Sequence, residues 1–207
     1  MNDAGRALRL WPCLALLALA GCAGRPAREA VDSFELLRLR AEVLRPWPTW
    51  SFEGRVAVRD GREGGSGRIR WHEGDGRYEV SLRAPVSATT WVLAGDGTQS
   101  ELRGAGPHPV RGADPEELLA RETGWHLPVR HARAWVRGLA LDSANARLDA
   151  VHDGLPAVLV ENGWTVEFGQ WASPGDGLPP MPQRIVARRP PWEVRLAISR
   201  WSLVHGG

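Results

Sequence analysis

Two thiols, six imidazoles and no lysine amine are what this 207-residue chain offers for chemistry. A metal centre would need the imidazoles grouped. His126 and His131 instead straddle Pro128, no His-Glu-x-x-His is present, and His108 and His152 fall in Pro- or Gly-rich stretches. Gly64-Gly65-Ser66-Gly67-Arg68 departs from a Gly-x-Ser-x-Gly nucleophile turn at its last position, and no Gly-x-Gly-x-x-Gly follows a strand. Without lysine there is no Walker loop and no Schiff-base or pyridoxal chemistry. Glu116 and Glu117 open a helix, where carboxylates belong for electrostatic reasons. A Ser-His-Asp set can be assembled on paper from almost any chain of this length, so its possibility carries no weight. The expectation is a protein with no catalytic residue, no metal and no cofactor.

The thiols remain. Arg6 and Arg9 precede an apolar run from Leu10 to Ala20, broken by Pro12, which is shorter than the roughly 20 residues a spanning helix needs. Leu19-Ala20-Gly21-Cys22 ends it with small residues and a cysteine. That tetrapeptide resembles the lipobox of bacterial lipoproteins, whose cysteine is diacylated on sulfur and becomes the first residue. Cys13 lies in the segment to be removed, so Cys22 has no internal disulfide partner. An attachment point explains it, since acyl burial is worth ~0.8 kcal/mol per methylene and two or more chains hold stably to a bilayer. In lipoproteins generally an Asp after the cysteine retains the product in the inner membrane. Here Ala23 and Gly24 follow, which implies the outer membrane. The organisation expected is a signal peptide over 1–21, a lipidated tether over 22–28 and one domain over 29–207.

Removal of residues 1–21 takes away Arg6, Arg9 and Asp3 and leaves a net charge of +1. That balance gives no footprint for nucleic acid. Gly (24), Pro (16) and Trp (11) are numerous, which suits turns and short elements. From Glu29 to Arg45 the spacing predicts a helix with Phe34, Leu37, Ala41 and Leu44 as its apolar stripe and Arg38, Arg40 and Glu42 on a solvated face. Strand alternation follows: Trp50, Phe52, Val56 and Val58 against Ser51, Glu53, Arg55 and Arg59; Ile69 and Trp71 against Arg68, Arg70 and His72; Tyr78, Val80 and Leu82 against Glu79, Ser81 and Arg83. Asp60-Gly61 and the Gly64–Gly67 run read as a loose turn. Trp91 and Leu93 resume the pattern, and a short strand lies around Leu102. Asp114-Pro115-Glu116-Glu117 starts a helix that ends by Gly124, and a second runs from Pro128 to Arg137. Strands return at 146–151, 157–161, 164–168, 184–188 and 192–198, with an Asn162-Gly163 turn between the second and third. Roughly ten strands in meander order around short helices predict a mainly β fold. The simplest form is an incomplete antiparallel β-barrel, a strongly curved sheet with helices on its concave side around an apolar cavity.

Ten tryptophans remain after removal of residues 1–21. Ordinary core filling accounts for most of them, yet cores prefer aliphatic residues and indoles need a partner for their N–H. Family resemblance adds to this. Trp50-x3-Gly54-Arg55-Val56-Ala57-Val58, Gly67-x3-Trp71, Tyr78-x3-Leu82-x2-Pro85 and Gly124-Trp125-x-Leu127-Pro128-Val129 occur in order. They are followed by Trp135-Val136-x-Gly138, Asn162-Gly163-Trp164-x-Val166, Met181-Pro182 and Leu196-x-Ile198-x2-Trp201. This series resembles the LolB family of outer-membrane lipoprotein receptors over nearly the whole mature chain. The resemblance implies a fold like that of the soluble carrier LolA. It also implies acceptance of acylated lipoprotein clients from a LolA-type carrier, their insertion into the outer membrane without nucleotide, and a periplasm-facing monomer held by its lipid. Candidate cavity-lining residues are Trp50, Phe52, Trp71, Tyr78, Trp91, Trp164 and Phe168. The family carries an exposed apolar residue on a loop behind a proline. Pro85-Val86-Ser87 occupies that place, so Val86 would be the membrane-contact residue, although Val is smaller than the usual Leu and Ser replaces Gly. Outward Arg55, Arg68 and Arg70 could meet an acidic carrier or simply be solvated. Two other readings stay open, a structural lipoprotein subunit of an envelope assembly complex and a lipid-binding envelope stress sensor.

Overall fold

In the computed structural model the described residues are 32–61, 63–84 and 89–206; Cys22, the tether and Val86 lie outside them. The alternating segments form eleven strands in one antiparallel sheet. In chain order these are β1 (Thr49–Asp60), β2 (Glu63–Gly74), β3 (Arg77–Arg83), β4 (Thr90–Gly95), β5 (Ser100–Arg103), β6 (Val110–Gly112), β7 (Arg147–His152), β8 (Leu155–Glu161), β9 (Trp164–Ala172), β10 (Met181–Arg189) and β11 (Trp192–Val204). Helices α1 (Ser33–Leu44), α2 (Pro115–Thr123) and α3 (Val129–Trp135) complete the described elements. The sheet order is β6-β5-β4-β3-β2-β1-β11-β10-β9-β8-β7. Two meanders therefore meet where β1 pairs with β11, and among the described strands β6 and β7 are the edges. The segment carrying α2 and α3 runs from one edge to the other, so this is the expected incomplete barrel with helices over its concave side.

Register explains the core. Inward side chains line up across neighbouring strands, as in the row Phe52, Trp71, Val80, Leu93 and Leu102. A second row runs through Val56, Leu196, Ile185 and Phe168. Each of these residues is buried, while Arg55, Arg68, Arg70 and His72 on the other face are exposed. The expected Asn162-Gly163 turn is present, with φ of 49° and 74°, the left-handed pair that matches strand twist.

Four local expectations need correction. The Gly64–Gly67 run is not a turn. It is the first part of β2, and the reversal is confined to the residues between Asp60 and Glu63. These glycines are there for space: a Cβ on Gly64 would come within 2.7 Å of the Val58 carbonyl oxygen and one on Gly67 within 2.6 Å of the Arg83 carbonyl oxygen. The strand β6, too short to show alternation, was not anticipated.

Helix α1 is rotated from its predicted face. Leu37, Arg40 and Leu44 are its buried residues, whereas Phe34 is 55% exposed. Arg40 is thus no solvated residue. Its guanidinium donates to the Arg137 carbonyl (3.1 and 3.0 Å) and to the Pro180 carbonyl (2.8 Å), and it lies 5.0 Å from the Trp171 ring centre. The Arg137 carbonyl sits just beyond the C-terminal end of α3, where free carbonyls favour a cation. Burial, with the nearby Arg137 charge, pushes the Arg40 pKa down to about 10, so it still carries its proton at neutral pH. Arg40→Ala is expected to cost about 2–3 kcal/mol in urea unfolding, because buried carbonyls lose their donor. Arg40→Lys recovers only part of this, since one ammonium cannot reproduce the fork.

Candidate functional site

The interior between the concave face and the helices is where an apolar ligand could lodge. Strand alternation delivers Val56, Ile69, Trp71, Val80, Leu82, Leu93, Leu102 and Leu196 to it, and Trp91 and Val194 join from β4 and β11. From above, α2 contributes Leu119, α3 contributes Val129 and Ala132, and the connection contributes Leu127. These residues enclose a cavity of about 60 Å³ lined entirely by apolar side chains and indoles. The hollow expected for a fatty tail is present as a narrow space in this structure. A second, polar cleft of about 480 Å³ opens beside it, lined by Trp50, Tyr78, Glu73, Arg130, Arg133 and Arg137 among others.

Of the seven aromatic residues named from the sequence, Trp71 and Trp91 face the apolar cavity. Trp50 and Tyr78 face the polar cleft. Phe52 packs in a mutual cluster with Trp50, Trp71 and Trp201, ring centres 5.1 to 6.3 Å apart. Trp164 packs on Trp135 at 5.9 Å and Phe168 on Trp171 at 5.7 Å. Aromatic residues thus fill the bottom of the barrel, and aliphatic ones line the space. The strand pattern had already turned those aliphatic side chains inward; a preference for indoles hid them. The contributions of Leu119, Leu127, Val129 and Ala132 depend on how α2 and α3 fold back, which no local pattern records.

One polar atom stands out in the apolar lining. The Trp71 indole N–H is buried without a hydrogen-bond partner among the described residues. A donor held in this setting costs free energy unless something accepts from it.

The two helices are capped and tied differently at their two ends. Asp114 accepts from the backbone N–H groups of Glu116 (2.8 Å) and Glu117 (3.2 Å), and Gly124 closes α2 in the left-handed conformation. Arg130 joins α2 to α3 through Asp114 (3.2 Å) and through its own N–H to the Glu116 carboxylate (3.1 Å). Across the mouth, Arg133 of α3 grips both oxygens of Glu73 on β2 and lies 4.9 Å from the Tyr78 ring centre. Two residues on, the same last turn of α3 is tied to the other wing. Buried Glu161 on β8 accepts from the Trp135 indole N–H (2.6 Å) and from the backbone N–H groups of Leu141 (3.3 Å) and Asp142 (2.7 Å). The last turn of α3 is thus held by an ion pair to β2 and by a buried polar network on β8. The arrangement contains no group of three or more His, Cys, Asp or Glu placed to hold a metal among the described residues.

The family model described as "Outer membrane lipoprotein LolB" matches residues 48–201. An "Outer-membrane lipoprotein LolB" of Xanthomonas campestris pv. campestris (strain B100) is 40% identical over 204 residues, covering 92% of this chain and 94% of its own. The protein of the same name from Xylella fastidiosa (strain Temecula1 / ATCC 700964) is 32% identical, with 97% and 96% covered. In fold alone, the chain is similar to a DUF1329 family protein from Desulfovibrio piger, with a TM-score of 0.51, 10% identity and 84% and 93% coverage. The match spans both meanders, the α2–α3 cover and the closing strand: the chain belongs to the LolB family of outer-membrane lipoproteins.

Proposed function

We propose that a client's acyl chains lodge between the concave face and α2–α3, in an enlarged form of the apolar cavity, and leave from there into the outer membrane. As a member of its family the chain is an outer-membrane lipoprotein receptor and not an enzyme. The observation that carries the mechanism is the apolar cavity lying between the concave face and α2–α3. Exposing a chain of ~14 methylenes to water would cost ~11 kcal/mol. A cavity removes that cost with no reaction, so transfer runs down a gradient of affinity from carrier to receptor to bilayer. The buried Trp71 N–H would find its acceptor in an ester or amide carbonyl at the head of a bound acyl chain, a chemistry that suits the ligand.

The finer parts of the proposal are a LolA-type carrier as donor, Cys22 as the acylated anchor, a domain of residues 29–207 facing the periplasm, and action as a monomer. The small residues before Cys22 and its lack of a second mature thiol support the anchor. Neither the assembly subunit nor the stress sensor draws support from the comparisons. The experiment is a transfer assay in which carrier loaded with a labelled lipoprotein is titrated with the purified chain. The label should move to the receptor. Label that stays on the carrier throughout removes the reading.

Val86 keeps its proposed role as the membrane-contact residue of the β3–β4 connection. Val86→Glu should leave acceptance from the carrier intact and slow release to liposomes by tenfold or more, since a carboxylate within a bilayer costs on the order of 2.5–3.5 kcal/mol. Release at the normal rate would leave the residue without that role.

A further inference from the structure

The outer face of the sheet, opposite α2 and α3, holds a feature that lipid acceptance does not use. Arg83 of β3 stands opposite Arg68 of β2, Arg68 opposite Arg55 of β1, Arg55 opposite Ala197 of β11, and Ala197 opposite Arg184 of β10. Four guanidinium groups thus lie in one row across five strands, a distance of about 19 Å at the usual strand spacing. With Arg195 they border an open groove of about 980 Å³ whose floor includes Ala57, Ala84, Val186 and Ala197. No acidic residue lines it.

Like charges placed directly opposite destabilise a sheet. Elsewhere this same face obeys the opposite rule. Arg70 pairs with Glu53 (3.2 Å), Arg103 with Glu79 (3.3 Å), Arg111 with Glu101 (2.6 Å) and Arg188 with Glu193 (2.8 Å). Among the described residues, Arg55, Arg68, Arg83 and Arg184 have no ion-pair partner. A solvated face accounts for the paired arginines and leaves the row unexplained; a local rule broken at one place marks a place of use.

We infer that this row is a docking surface for the phosphate groups of an anionic phospholipid membrane. Guanidinium forks match phosphate oxygens, and a long, shallow groove with several of them suits an array of headgroups better than one small anion. An acidic protein carrier fits less well, because hand-over of acyl chains needs access to the cavity, and the row lies on the other side of the sheet. The inference rests on the receptor reading and adds a posture to it: back against the bilayer, with α2 and α3 turned toward the incoming client.

The test uses the full chain purified from membranes and reconstituted in vesicles of phosphatidylcholine, with or without phosphatidylglycerol. An environment-sensitive fluorophore is placed at Ser66→Cys in the groove or, for comparison, at Glu122→Cys on α2. The unsubstituted chain, with Cys22, serves as the blank. Phosphatidylglycerol should shield the label at position 66 from iodide, should not shield that at 122, and should lose its effect in high salt. The double variant Arg55→Ser with Arg68→Ser should lower the docked-to-undocked ratio about thirtyfold, near a factor of five per guanidinium. Arg55→Lys with Arg68→Lys keeps the charge and should retain most docking. Equal quenching in both vesicle types, or shielding indifferent to the serine substitutions, overturns the proposal. So does shielding by an added carrier but not by vesicles, which would assign the row to a protein. Client acceptance, assayed separately in solution, tells whether the receptor reading itself stands.

Discussion

Glu73→Ala should make the protein less stable and yet a better binder of apolar probes. Glu73 is largely buried and receives the guanidinium of Arg133 on both oxygens, so its removal leaves a mostly enclosed cation without a counterion. Breaking such a pair costs about 3–5 kcal/mol in fully buried sites, and with Arg133 still 28% exposed about 2 kcal/mol is the expectation here. Much of that loss falls on the closed arrangement, because the bond joins the cover to the sheet. If the acyl site forms only when α2 and α3 lift, a shift of about 2 kcal/mol toward the open form raises apparent affinity about thirtyfold. A fluorescent fatty-acid probe titrated against the wild type and the variant measures this, and urea unfolding measures the stability. Glu73→Gln, which keeps an acceptor without the charge, should fall between the two. Lower stability with unchanged probe affinity would mean that α2 and α3 are not the cover.

The Glu161 network should respond differently. Glu161→Ala leaves three donors without an acceptor: the Trp135 indole N–H and the backbone N–H groups of Leu141 and Asp142. At ~1–3 kcal/mol for each buried unsatisfied group, a loss of about 4 kcal/mol follows. That corresponds to a fall in Tm of about 8–16 °C for a domain of this size. Glu161→Gln is no remedy, because its amide nitrogen would meet a donor. Trp135→Phe removes one bond of the three and should cost correspondingly less. No gain in probe affinity is expected from Glu161→Ala beyond what general unfolding produces, since this network ties α3 to β8, which contributes nothing to the cavity lining. A Tm within a few degrees of wild type would show that the carboxylate is dispensable.

These two sites mark how far the sequence could be read. Alternation placed Trp50, Phe52, Trp71, Tyr78 and their neighbours on one face, and capping residues placed α2, because both signals are local in the chain. Glu161 and Glu73 carry no local signal, because only the return of α3 across the barrel gives them partners. The same holds for Arg40, whose charge suggested water until the end of α3 and the carbonyl of Pro180 came to surround it. Phe34 erred in the other direction, apolar by type and at helical spacing, yet left on the exposed face by a small rotation of α1. The Gly64–Gly67 run misled because glycine signals either a reversal or a close approach, and the neighbouring carbonyl that decides between them belongs to other strands. At the candidate site the enclosing aliphatic residues were legible as inward, but the small size of the space was not, since volume depends on how the rings of Trp50, Phe52, Trp71 and Trp201 stack.

The pairing of β1 with β11 has a consequence for how the molecule comes into being. Synthesis runs from the N-terminus, so the first meander emerges with β1 as a bare edge and the second cannot be joined to it until the final 13-residue strand is made. Until then two half-sheets coexist, each offering open hydrogen-bonding groups to any passing strand. The seam joins strands from near the two ends of the domain and is the last to be sewn, which makes β11 the fastener of the whole basin and nascent chains cut short of it a hazard for aggregation.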